Sequence, residues 1–433
     1  MKLIKGQKTL PNLSLKDRNN IIKTKKIMNT IKEKLQEVKN ASFELVGISL
    51  EKRNKIISDI WKKLLKNKQR IISENKKDLE KLDKKDILRD RLLLDEKRIE
   101  AMANWCEKLV KIADPLEKYS RDNSWIISTD DNWLKIKKQA IPLWVVACIY
   151  EARPNVTIDI AIMCIKSGNA MVLRWWSKAS FSNNILVKII KEVLKENNIS
   201  QNLVYNFPLQ REKLEILYKA TWLVDVIIPR WSKKLINSVR EKSLVPVIET
   251  GAWVVHLYLD NEISETNFDK AIKVIVNAKT SRPSVCNALD TLIINRNLKE
   301  NFLDKLFKQL KKSWVNIFQD EKNIDYFKEQ LSLDLNIKFV ENLEEAIKHI
   351  MTYSTKHSDW ILSDSLENIE KFKNSIDSSV VYINTSTRFS DWECFGFGWE
   401  IWISTQKLHA RWPMWAEVLV TYKYVVESEW EVR

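Results

Sequence analysis

The sequence predicts an α/β fold with two domains, each built around a parallel β-sheet. Two observations carry this prediction. Short apolar runs rich in β-branched residues alternate with amphipathic helical stretches from residue 143 onward, and this alternation occurs in two successive series. A chain of 433 residues is long enough to bury a core in each domain.

The chain begins with a basic stretch, residues 1–25, for which we predict no regular structure. From residue 27 to about 111 apolar residues recur every three or four positions, as in IISDIWKKLLKNKQRII, which predicts helices. Asp114-Pro115 ends this region. Residues 123–140 (NSWIISTDDNWLKIKKQA) alternate apolar and polar side chains around a turn, a pattern that predicts a hairpin.

The two series of predicted strands follow. In the first, the strands are 143–150, 170–175, 203–207, 223–229 and 245–250, with helices such as 182–198 between them. In the second, helices are predicted at 266–279, 299–313 and 343–351, and strands at 291–295, 337–340, 359–363 and 380–384. Strands separated by helices form βαβ units, so both sheets should be parallel.

Charge and cysteine content narrow the functional classes. The net charge is +15, and residues 1–40 contribute 11 − 3 = +8 of it. A basic tail of this kind is typically solvated, although a nucleic-acid-binding protein stays open as an alternative. Five cysteines without paired spacing indicate a reducing compartment, and no apolar signal core or membrane-spanning run is present, so a cytoplasmic protein is expected. No grouping has metal-site spacing.

Tryptophan and glycine contents are both unusual. The chain has 18 Trp and 6 Gly, whereas ordinary usage predicts about 30 Gly. Many of the Trp occupy turns or tight sequence contexts, as in LRWWSK, IPRWS, TGAWVV and RWPMW. We hypothesise that UGA codons of this gene encode glycine and are written here as tryptophan. The alternative is a genuinely tryptophan-rich protein, such as a carbohydrate-binding one.

Cys286 is a candidate nucleophile. It follows a predicted helix in NAKTSRPSVCN, four residues after Arg282. A thiolate is a strong nucleophile, and a nearby cation lowers its pKa. A small core residue is the alternative, and we interpret Cys106, Cys148, Cys164 and Cys394 in that way.

Several motifs, in order along the chain, closely resemble the γ-glutamyl phosphate reductase family of the aldehyde dehydrogenase superfamily. They are YEARPNVT, KSGNAMVLR, NAKTSRPSVCN, VENLEEAIKHIMTYSTKHSDWI and STQKLHAR. The resemblance covers residues 27 to 424, and most Trp stand where the family has Gly. It implies an aldehyde dehydrogenase-like fold with a small β flap for oligomerisation. It also implies NADPH-dependent reduction of L-glutamyl 5-phosphate to L-glutamate 5-semialdehyde, the second step of proline biosynthesis, through a thioester on Cys286. A generic aldehyde dehydrogenase that oxidises an aldehyde is the alternative.

The resemblance also assigns residues. Asn155 and the Cys286 backbone N–H would hold the oxyanion, and Glu249 would be either a proton shuttle or a structural acid. The cofactor would contact Arg174, Glu329, the turn positions Trp175, Trp176 and Trp231, and Ser232. Arg282 suits the substrate phosphate and Arg388 its carboxylate, with surface ion pairs as the alternative for both. His357 and His409 lie in family motifs without an assignable role.

The domain organisation follows the same resemblance. We expect a cofactor domain and a catalytic domain, a hairpin and a C-terminal strand that cross to a partner subunit, and hence a homo-oligomer. A separate glutamate 5-kinase would supply the labile substrate. The predicted units are the extension at 1–25, the NADP-binding domain at 26–122 and 141–258 with 385–411, the catalytic domain at 259–384, and the oligomerisation elements at 123–140 and 412–433.

Overall fold

The computed structural model of the chain describes residues from Leu15 to Trp430 with internal gaps. The residues outside the description are 1–14, 84–85, 87, 120–124, 128–133, 152, 231–232, 250, 252, 320–322, 391–403, 408–409, 412–414, 429 and 431–433. Cys394, His409, Trp231, Ser232 and four of the C-terminal tryptophans, at 392, 399, 402 and 412, lie outside the described residues.

The N-terminal half contains nine helices and six strands among its described residues. In chain order these are α1 (Leu15–Val46), α2 (Leu50–Lys66), α3 (Lys68–Leu79), α4 (Leu88–Leu92), α5 (Glu96–Val110), β1 (Trp125–Ile127), β2 (Lys135–Pro142), β3 (Val145–Tyr150), α6 (Asn155–Lys166), β4 (Ala170–Arg174), α7 (Ser180–Glu196), β5 (Val204–Asn206), α8 (Leu214–Tyr218), β6 (Val226–Arg230) and α9 (Lys233–Lys242).

The remaining described residues continue the alternation of strands and helices. The elements are β7 (His256–Leu259), α10 (Phe268–Thr280), β8 (Thr291–Asn295), α11 (Glu300–Lys312), β9 (Asn316–Phe318), β10 (Asp334–Val340), α12 (Leu343–Tyr353), β11 (Ser358–Leu362), α13 (Leu366–Ser375), β12 (Val380–Ile383) and β13 (Val420–Glu427).

Two parallel sheets and one small antiparallel sheet organise these elements. The first parallel sheet has the strand order β5-β4-β3-β6, and the second has the order β12-β11-β7-β8-β10-β9. The antiparallel sheet has the order β1-β2-β13. The predicted α/β class is therefore confirmed. The strand pairings within each of the two larger sheets are parallel, as predicted.

A buried ion pair joins α2 to the turn after α5 and to the end of α6. The Arg53 guanidinium contacts both carboxylate oxygens of Asp114, at 3.1 and 2.5 Å, and also donates to the Lys166 carbonyl oxygen. Asp114 caps the short 3₁₀ turn that starts at Pro115, which explains why the helical pattern ends there. We predicted no regular structure for residues 1–25. α1 begins at Leu15, so the last part of this stretch is helical.

The predicted strand at 245–250 is wrong. Among the described residues of this stretch, 245–249, the single bridge is between Ile227 and Val247, and the adjacent carbonyl of Pro246 accepts a hydrogen bond from the Ile227 N–H. Proline lacks an N–H group and cannot extend a ladder on its donor side. Val245 and Ile248 are buried. The apolar residues of this stretch therefore indicate burial, not a strand.

One strand, β7 in the middle of the second sheet, was not predicted from the sequence. β7 pairs with β8 on one side and β11 on the other. Its first residue, His256, is fully buried, and its Nδ1 lies 3.1 Å from Asp359 Oδ1 on β11. The second sheet thus includes residues on both sides of the predicted boundary between 258 and 259.

Four described tryptophans have a positive φ, a backbone conformation that favours glycine. They are Trp144 (82°), Trp222 (71°), Trp314 (62°) and Trp430 (72°). Three of these indoles are almost wholly exposed, at 89% for Trp222, 82% for Trp314 and 97% for Trp430. A left-handed backbone is costly for any residue with a Cβ, and an exposed indole gains little from packing. These positions are therefore typical of glycine.

Among the described residues, no helix is both long and apolar enough to cross a membrane.

Candidate active site

The candidate site lies where the first parallel sheet meets the turn that carries Cys286. In the first sheet, the carboxyl ends of β3 and β6 are adjacent, since Tyr150 is in register with Arg230. Beyond β3 the chain runs through Arg153 to the start of α6 at Asn155. Cys286 lies in the turn between α10 and β8, and β8 belongs to the second parallel sheet.

Cys286 is distinguished from the other described cysteines by its exposure. It is half-buried, whereas Cys106, Cys148 and Cys164 are fully buried, and none of the four forms a disulfide. Burial raises the pKa of each of these three thiols well above its usual range. A buried, protonated thiol is unreactive, so Cys286 is the described cysteine suited to nucleophilic chemistry.

The turn around Cys286 is fixed by its neighbour Asn287. The Asn287 Nδ2 donates to the Thr387 carbonyl oxygen at 3.1 Å, and the Thr387 hydroxyl donates to the Asn287 carbonyl oxygen at 2.5 Å. Arg388 donates to Asn287 Oδ1 from its guanidinium. The stretch predicted to bind the substrate carboxylate, NTSTRF, is thus bonded directly to the residue after the nucleophile.

The charge of Arg153 interacts with that of Cys286. Burial, with the charges of Arg230 and Arg91, lowers the pKa of the Arg153 guanidinium to about 10, against the opposing effects of Glu151 and Cys286. Arg153 was not among the predicted site residues, although it lies two residues before Asn155 in the same motif, YEARPNVT.

Asn155 begins α6 and is half-buried. Its Nδ2 donates to Asp159 Oδ2 at 3.2 Å, one turn further along the helix. Burial raises the pKa of Asp159 to about 7, against the opposing effects of Arg230 and of the Asn155 hydrogen bond. The hydrogen bond therefore orients the amide that was predicted to hold the oxyanion.

Glu329 is linked to Cys286 through one intervening residue, Trp253. Its carboxylate accepts a hydrogen bond from the Trp253 backbone N–H, and the Trp253 side chain packs against Cys286. Burial raises the pKa of Glu329 to about 7, as does the charge of Asp290. A carboxyl group that titrates near neutrality beside a nucleophile is typical of functional sites.

Glu249 is placed differently from the other acids. Its Oε2 lies 3.6 Å from Arg240 Nη1 of α9, and its backbone N–H donates to Gln406 Oε1 at 3.2 Å. No hydrogen bond or ion pair within the described part of the chain joins Glu249 to Cys286. This arrangement favours the structural role that the sequence left open for Glu249.

Three of the predicted cofactor residues lie at the end of β4. Arg174 is 5% exposed, its Nη2 donates to the Leu209 carbonyl oxygen at 2.9 Å, and its buried Nε lacks a hydrogen-bond partner. Trp175 is buried with its ring centroid 6.3 Å from that of Tyr150, and Trp176 is half-buried. The orphaned Nε of Arg174 fits an anionic group at this edge of the sheet, where a nicotinamide dinucleotide would place its phosphates.

Two further residues from the sequence predictions, Arg282 and His357, differ in their burial. Arg282 is exposed, and no hydrogen bond from its guanidinium is found within the described ranges, so the structure does not bring it into the cluster around Cys286. His357 is fully buried, with its ring 4.8 Å from that of Trp253 and its Nδ1 2.6 Å from the Ser358 hydroxyl. Burial lowers the pKa of His357 to about 3. It is therefore neutral near pH 7.

No group of three or more His, Cys, Asp or Glu in the described part of the chain could hold a metal ion.

Known proteins resemble this chain over almost its whole length. It is 40% identical over 426 residues to a γ-glutamyl phosphate reductase of Chlorobium luteolum, covering 94% of this chain and 99% of the relative. It is 41% identical over 416 residues to the Clostridium botulinum protein of the same description, covering 92% and 98%. No protein-family profile matches the chain.

Solved structures agree with these relatives. The crystal structure of γ-glutamyl phosphate reductase from Thermotoga maritima superposes with a TM-score of 0.87 at 36% identity, covering 93% of this chain and 99% of that one. An acetylating aldehyde dehydrogenase from Geobacillus thermoglucosidasius has a TM-score of 0.64 at 15% identity, covering 94% and 98%. The second likeness shows the aldehyde dehydrogenase-like fold alone.

Proposed function

The chain belongs to the γ-glutamyl phosphate reductase family, and on that premise we propose that it reduces L-glutamyl 5-phosphate to L-glutamate 5-semialdehyde and phosphate. This oxidoreductase reaction is the second step of proline biosynthesis from glutamate. The observation that carries the proposal is the half-buried free thiol of Cys286, in a turn that is fixed by the hydrogen bonds between Asn287 and Thr387.

The reaction begins with attack of the Cys286 thiolate on the acyl carbon. A C–S bond forms, the C–O bond to phosphate breaks, and its electron pair leaves with the phosphate. The product is a thioester on Cys286, so one difficult step is divided into two easier ones. A bound nicotinamide cofactor supplies the hydride that reduces the thioester carbon. Collapse of the resulting thiohemiacetal restores the thiol and releases the aldehyde.

The oxyanion formed at the acyl carbon needs hydrogen-bond donors already in place. We assign this role to the Asn155 side-chain amide and the Cys286 backbone N–H, each worth about 3 kcal/mol in comparable enzymes. The hydrogen bond from Asn155 to Asp159 supports this assignment, because it uses one amide hydrogen to fix the group and leaves the other for substrate.

A general base to activate water is not required, because phosphate rather than water exchanges with the acyl group. The ion pair between Glu249 and Arg240 supports a structural role for Glu249. Glu329, which is linked to the nucleophile through Trp253, is better placed among the described acids to act near the site.

We propose NADPH as the cofactor, held at the carboxyl edge of the first sheet. Arg174 would contact its 2′-phosphate, and the turn positions Trp175, Trp176 and Trp231 with Ser232 would line its phosphates. Glu329 would accept hydrogen bonds from the nicotinamide ribose. The orphaned Nε of Arg174 supports the first assignment, since a buried guanidinium nitrogen without a partner is costly.

For the substrate, we assign Arg388 to the α-carboxylate. Its hydrogen bond to Asn287 holds the guanidinium beside the nucleophile, which supports this role. Because the substrate is labile, we also propose that a separate glutamate 5-kinase supplies it in the cytoplasm. Co-purification of the two proteins tests their association, and separate elution of both activities would contradict it.

A phosphate-dependent assay in the reverse direction tests the function. We expect reduction of NADP⁺ by glutamate semialdehyde to require phosphate or arsenate, and to be lost in Cys286→Ala. Equal activity without either anion would favour the alternative, a generic aldehyde dehydrogenase that hydrolyses its thioester. Replacing NADP⁺ by NAD⁺ in the same assay tests the cofactor preference, which the proposal places with NADP⁺.

A further inference from the structure

A buried carboxylate joins three segments at the amino edge of the second sheet. Asp290 is 2% exposed and directly precedes β8. Its Oδ2 accepts a hydrogen bond from the Val255 backbone N–H at 3.0 Å, and its Oδ1 accepts one from the Gln330 backbone N–H at 2.8 Å. One side chain thus connects the start of β8 to the residue before β7 and to the stretch that leads into β10.

Backbone hydrogen bonds reinforce the same junction. The Asp290 and Thr291 N–H groups both donate to the Val255 carbonyl oxygen, at 3.1 and 3.2 Å, and the Asn336 N–H donates to the Asp290 carbonyl oxygen at 3.0 Å. These contacts continue the pairing of β8 with β7 and with β10. The backbone of Asp290 is therefore fixed between the two neighbouring strands, and its carboxylate is held with it.

Each of the three segments also carries a residue of the candidate site. Cys286 lies four residues before Asp290, in the same connection between α10 and β8. Trp253 lies two residues before Val255; its side chain packs against Cys286, and its backbone N–H donates to Glu329. The third segment carries Glu329 itself, directly before the backbone N–H that Asp290 binds there. The two backbone groups held by Asp290 thus lie one residue from Glu329 and two residues from Trp253.

We propose that Asp290 is a positioning residue of the reductase, which holds Glu329 in place for binding of the nicotinamide ribose. The inference rests on the proposed function, because that function assigns Glu329 to the ribose. Asp290 acts through the chain: its hydrogen bonds fix the residue after Glu329 and the segment whose N–H group binds the Glu329 carboxylate. An ionised carboxylate has an acceptor oxygen for each segment, so loss of either contact releases one side of this arrangement.

The charge of Asp290 also bears on the protonation of Glu329. Burial raises the pKa of Glu329 to about 7, and Asp290 acts in the same direction, against a backbone hydrogen bond and the charge of Arg91 of α4. Burial raises the pKa of Asp290 to about 6, against two backbone hydrogen bonds and the charges of Lys279 of α10 and His256 of β7. Glu329 accepts hydrogen bonds with both oxygens only when it is ionised. Affinity for the cofactor should therefore decline as the pH falls below 7.

Direct binding of NADP⁺ tests the inference without turnover. Calorimetric titration of the full chain with NADP⁺ alone gives the Kd of the parent, Asp290→Asn and Asp260→Asn. Asp260 is the matched control, because it is 1% exposed and also accepts a backbone N–H, that of Asn261 at 3.0 Å, but lies at the carboxyl end of β7. At pH 8 we expect Asp290→Asn to raise the Kd about threefold to tenfold, since asparagine retains a single acceptor oxygen. Asp260→Asn should leave the Kd within about twofold of the parent.

A double-mutant cycle with Glu329→Gln shows whether Asp290 acts through Glu329. We expect Glu329→Gln to raise the Kd about tenfold at pH 8, and Asp290→Asn to add less than about twofold in that background. Between pH 8 and pH 6 the parent should lose affinity more steeply than Glu329→Gln, which has no carboxyl group at 329 but keeps the titration of the NADP⁺ 2′-phosphate. Asp290→Asn removes a negative charge, so the Glu329 pKa falls and the decline in affinity moves to lower pH.

Three results would overturn the inference. The first is a Kd for Asp290→Asn that equals that of the parent or of Asp260→Asn. The second is a full, independent increase when Asp290→Asn is added to Glu329→Gln, because Asp290 would then act without Glu329. The third is a parent-like Kd for Glu329→Gln, a result that needs no Asp290 variant and so decides the question even where Asp290→Asn fails to fold.

Failure of the proposed function would be seen separately. A parent protein that binds neither NADP⁺ nor NAD⁺ and shows no phosphate-dependent turnover would contradict the function itself. A parent with both properties, combined with any of the three results above, would contradict only the link from Asp290 to Glu329.

Discussion

At the scale of single residues, backbone conformation bears on the identity of the tryptophans. Trp144, Trp222, Trp314 and Trp430 have φ between 62° and 82°. Composition suggested glycine at many tryptophan positions, and these φ values give that hypothesis a physical criterion that is independent of composition. Residues with a Cβ lose about 1–2 kcal/mol in the left-handed region, whereas glycine does not.

We therefore expect Trp222→Gly and Trp314→Gly each to raise the free energy of unfolding by about 1 kcal/mol. Both indoles are more than four-fifths exposed, at 89% and 82%, so little packing is lost. The matched control is Trp61→Gly, in the interior of α2 and packed against the core, which should lower stability by at least about 1 kcal/mol. Urea unfolding of the three variants measures this, and destabilisation by all three would contradict the glycine hypothesis at these positions.

His349 gives a prediction for pH. It is 8% exposed and packs among the rings of Tyr326, Tyr353 and His256. Burial lowers the pKa of His349 to about 3, and the charges of His256 and Lys338 act in the same direction. Since the unfolded chain binds this proton more readily, His349 favours the folded state fully above about pH 6.5, and that contribution is lost as the pH falls towards 3.

His349→Phe keeps an aromatic ring but removes the titration. Relative to the parent, we expect its stability to fall less steeply between pH 6.5 and pH 3, by at most about 1.4 kcal/mol per pH unit. Urea unfolding at several pH values measures the difference, and above pH 7 the difference between the two proteins should be constant. Parallel curves across the acidic range would show that the His349 pKa is not lowered.

At the scale of elements, the local sequence pattern predicted most strands and helices. It did not predict which distant residues pair with them inside the fold. The prediction at 291–295 coincides with β8, because a buried parallel strand gives an uninterrupted apolar run. β7 was missed because His256 interrupts such a run, and its burial depends on Asp359, which is distant in sequence. The segment 245–250 shows the converse error, since apolar residues around Pro246 are buried without forming a strand.

Asp359 connects several elements of the second sheet. Its Oδ1 accepts a hydrogen bond from the His256 backbone N–H at 3.1 Å, and its Oδ2 accepts from the hydroxyls of Ser354 at 2.5 Å and of Ser378. The carboxylate is fully buried. It therefore links β11 to β7, to the end of α12 and to the chain before β12.

We expect Asp359→Ala to lower the free energy of unfolding by about 3 kcal/mol or more, because several buried donors lose their acceptor. Asp359→Asn has almost the same shape and keeps one acceptor oxygen, so its loss should be smaller. Denaturant unfolding of both variants measures the effect, with Asp325→Ala as an exposed control. Equal and small losses for both buried variants would mean that the carboxylate does not stabilise the sheet.

At the scale of the whole molecule, the candidate site combines residues that follow strands of the first parallel sheet with the turn before β8 of the second. The sequence identified Cys286 and Asn155 through their motifs, and the structure gives both positions a supporting geometry. It could not show that the charges of Arg153 and Cys286 interact, because more than a hundred residues separate them along the chain. Nor could it separate Arg388, which is bonded to Asn287, from Arg282, which is exposed.

The antiparallel sheet bears on assembly. β13 is an edge strand in the order β1-β2-β13, and on it Tyr422, Tyr424 and Val426 are about half exposed, at 45%, 53% and 55%. In this single chain β13 pairs with β2 along its whole length. A long apolar edge strand tends to pair with another chain, so the predicted homo-oligomer remains in keeping with this surface.

We expect the double variant Tyr424→Glu and Val426→Glu to reduce the oligomer to a smaller species, because like charges would meet at a β13 interface. Light scattering coupled to size exclusion measures the mass. Leu366→Glu is the control, since Leu366 is also apolar and is 79% exposed, but lies on α13. An unchanged mass for the β13 variant would place the subunit contact elsewhere.

The left-handed tryptophans have a practical consequence for anyone who purifies this enzyme. If glycine occupies most of the 18 positions, the ultraviolet spectrum will be dominated by the ten tyrosines instead of by indole. Concentrations read from absorbance with the written composition would then be severalfold too low, and specific activities correspondingly too high. The near absence of indole emission in a freshly isolated sample would be a first sign, visible in a cuvette before any sequencing.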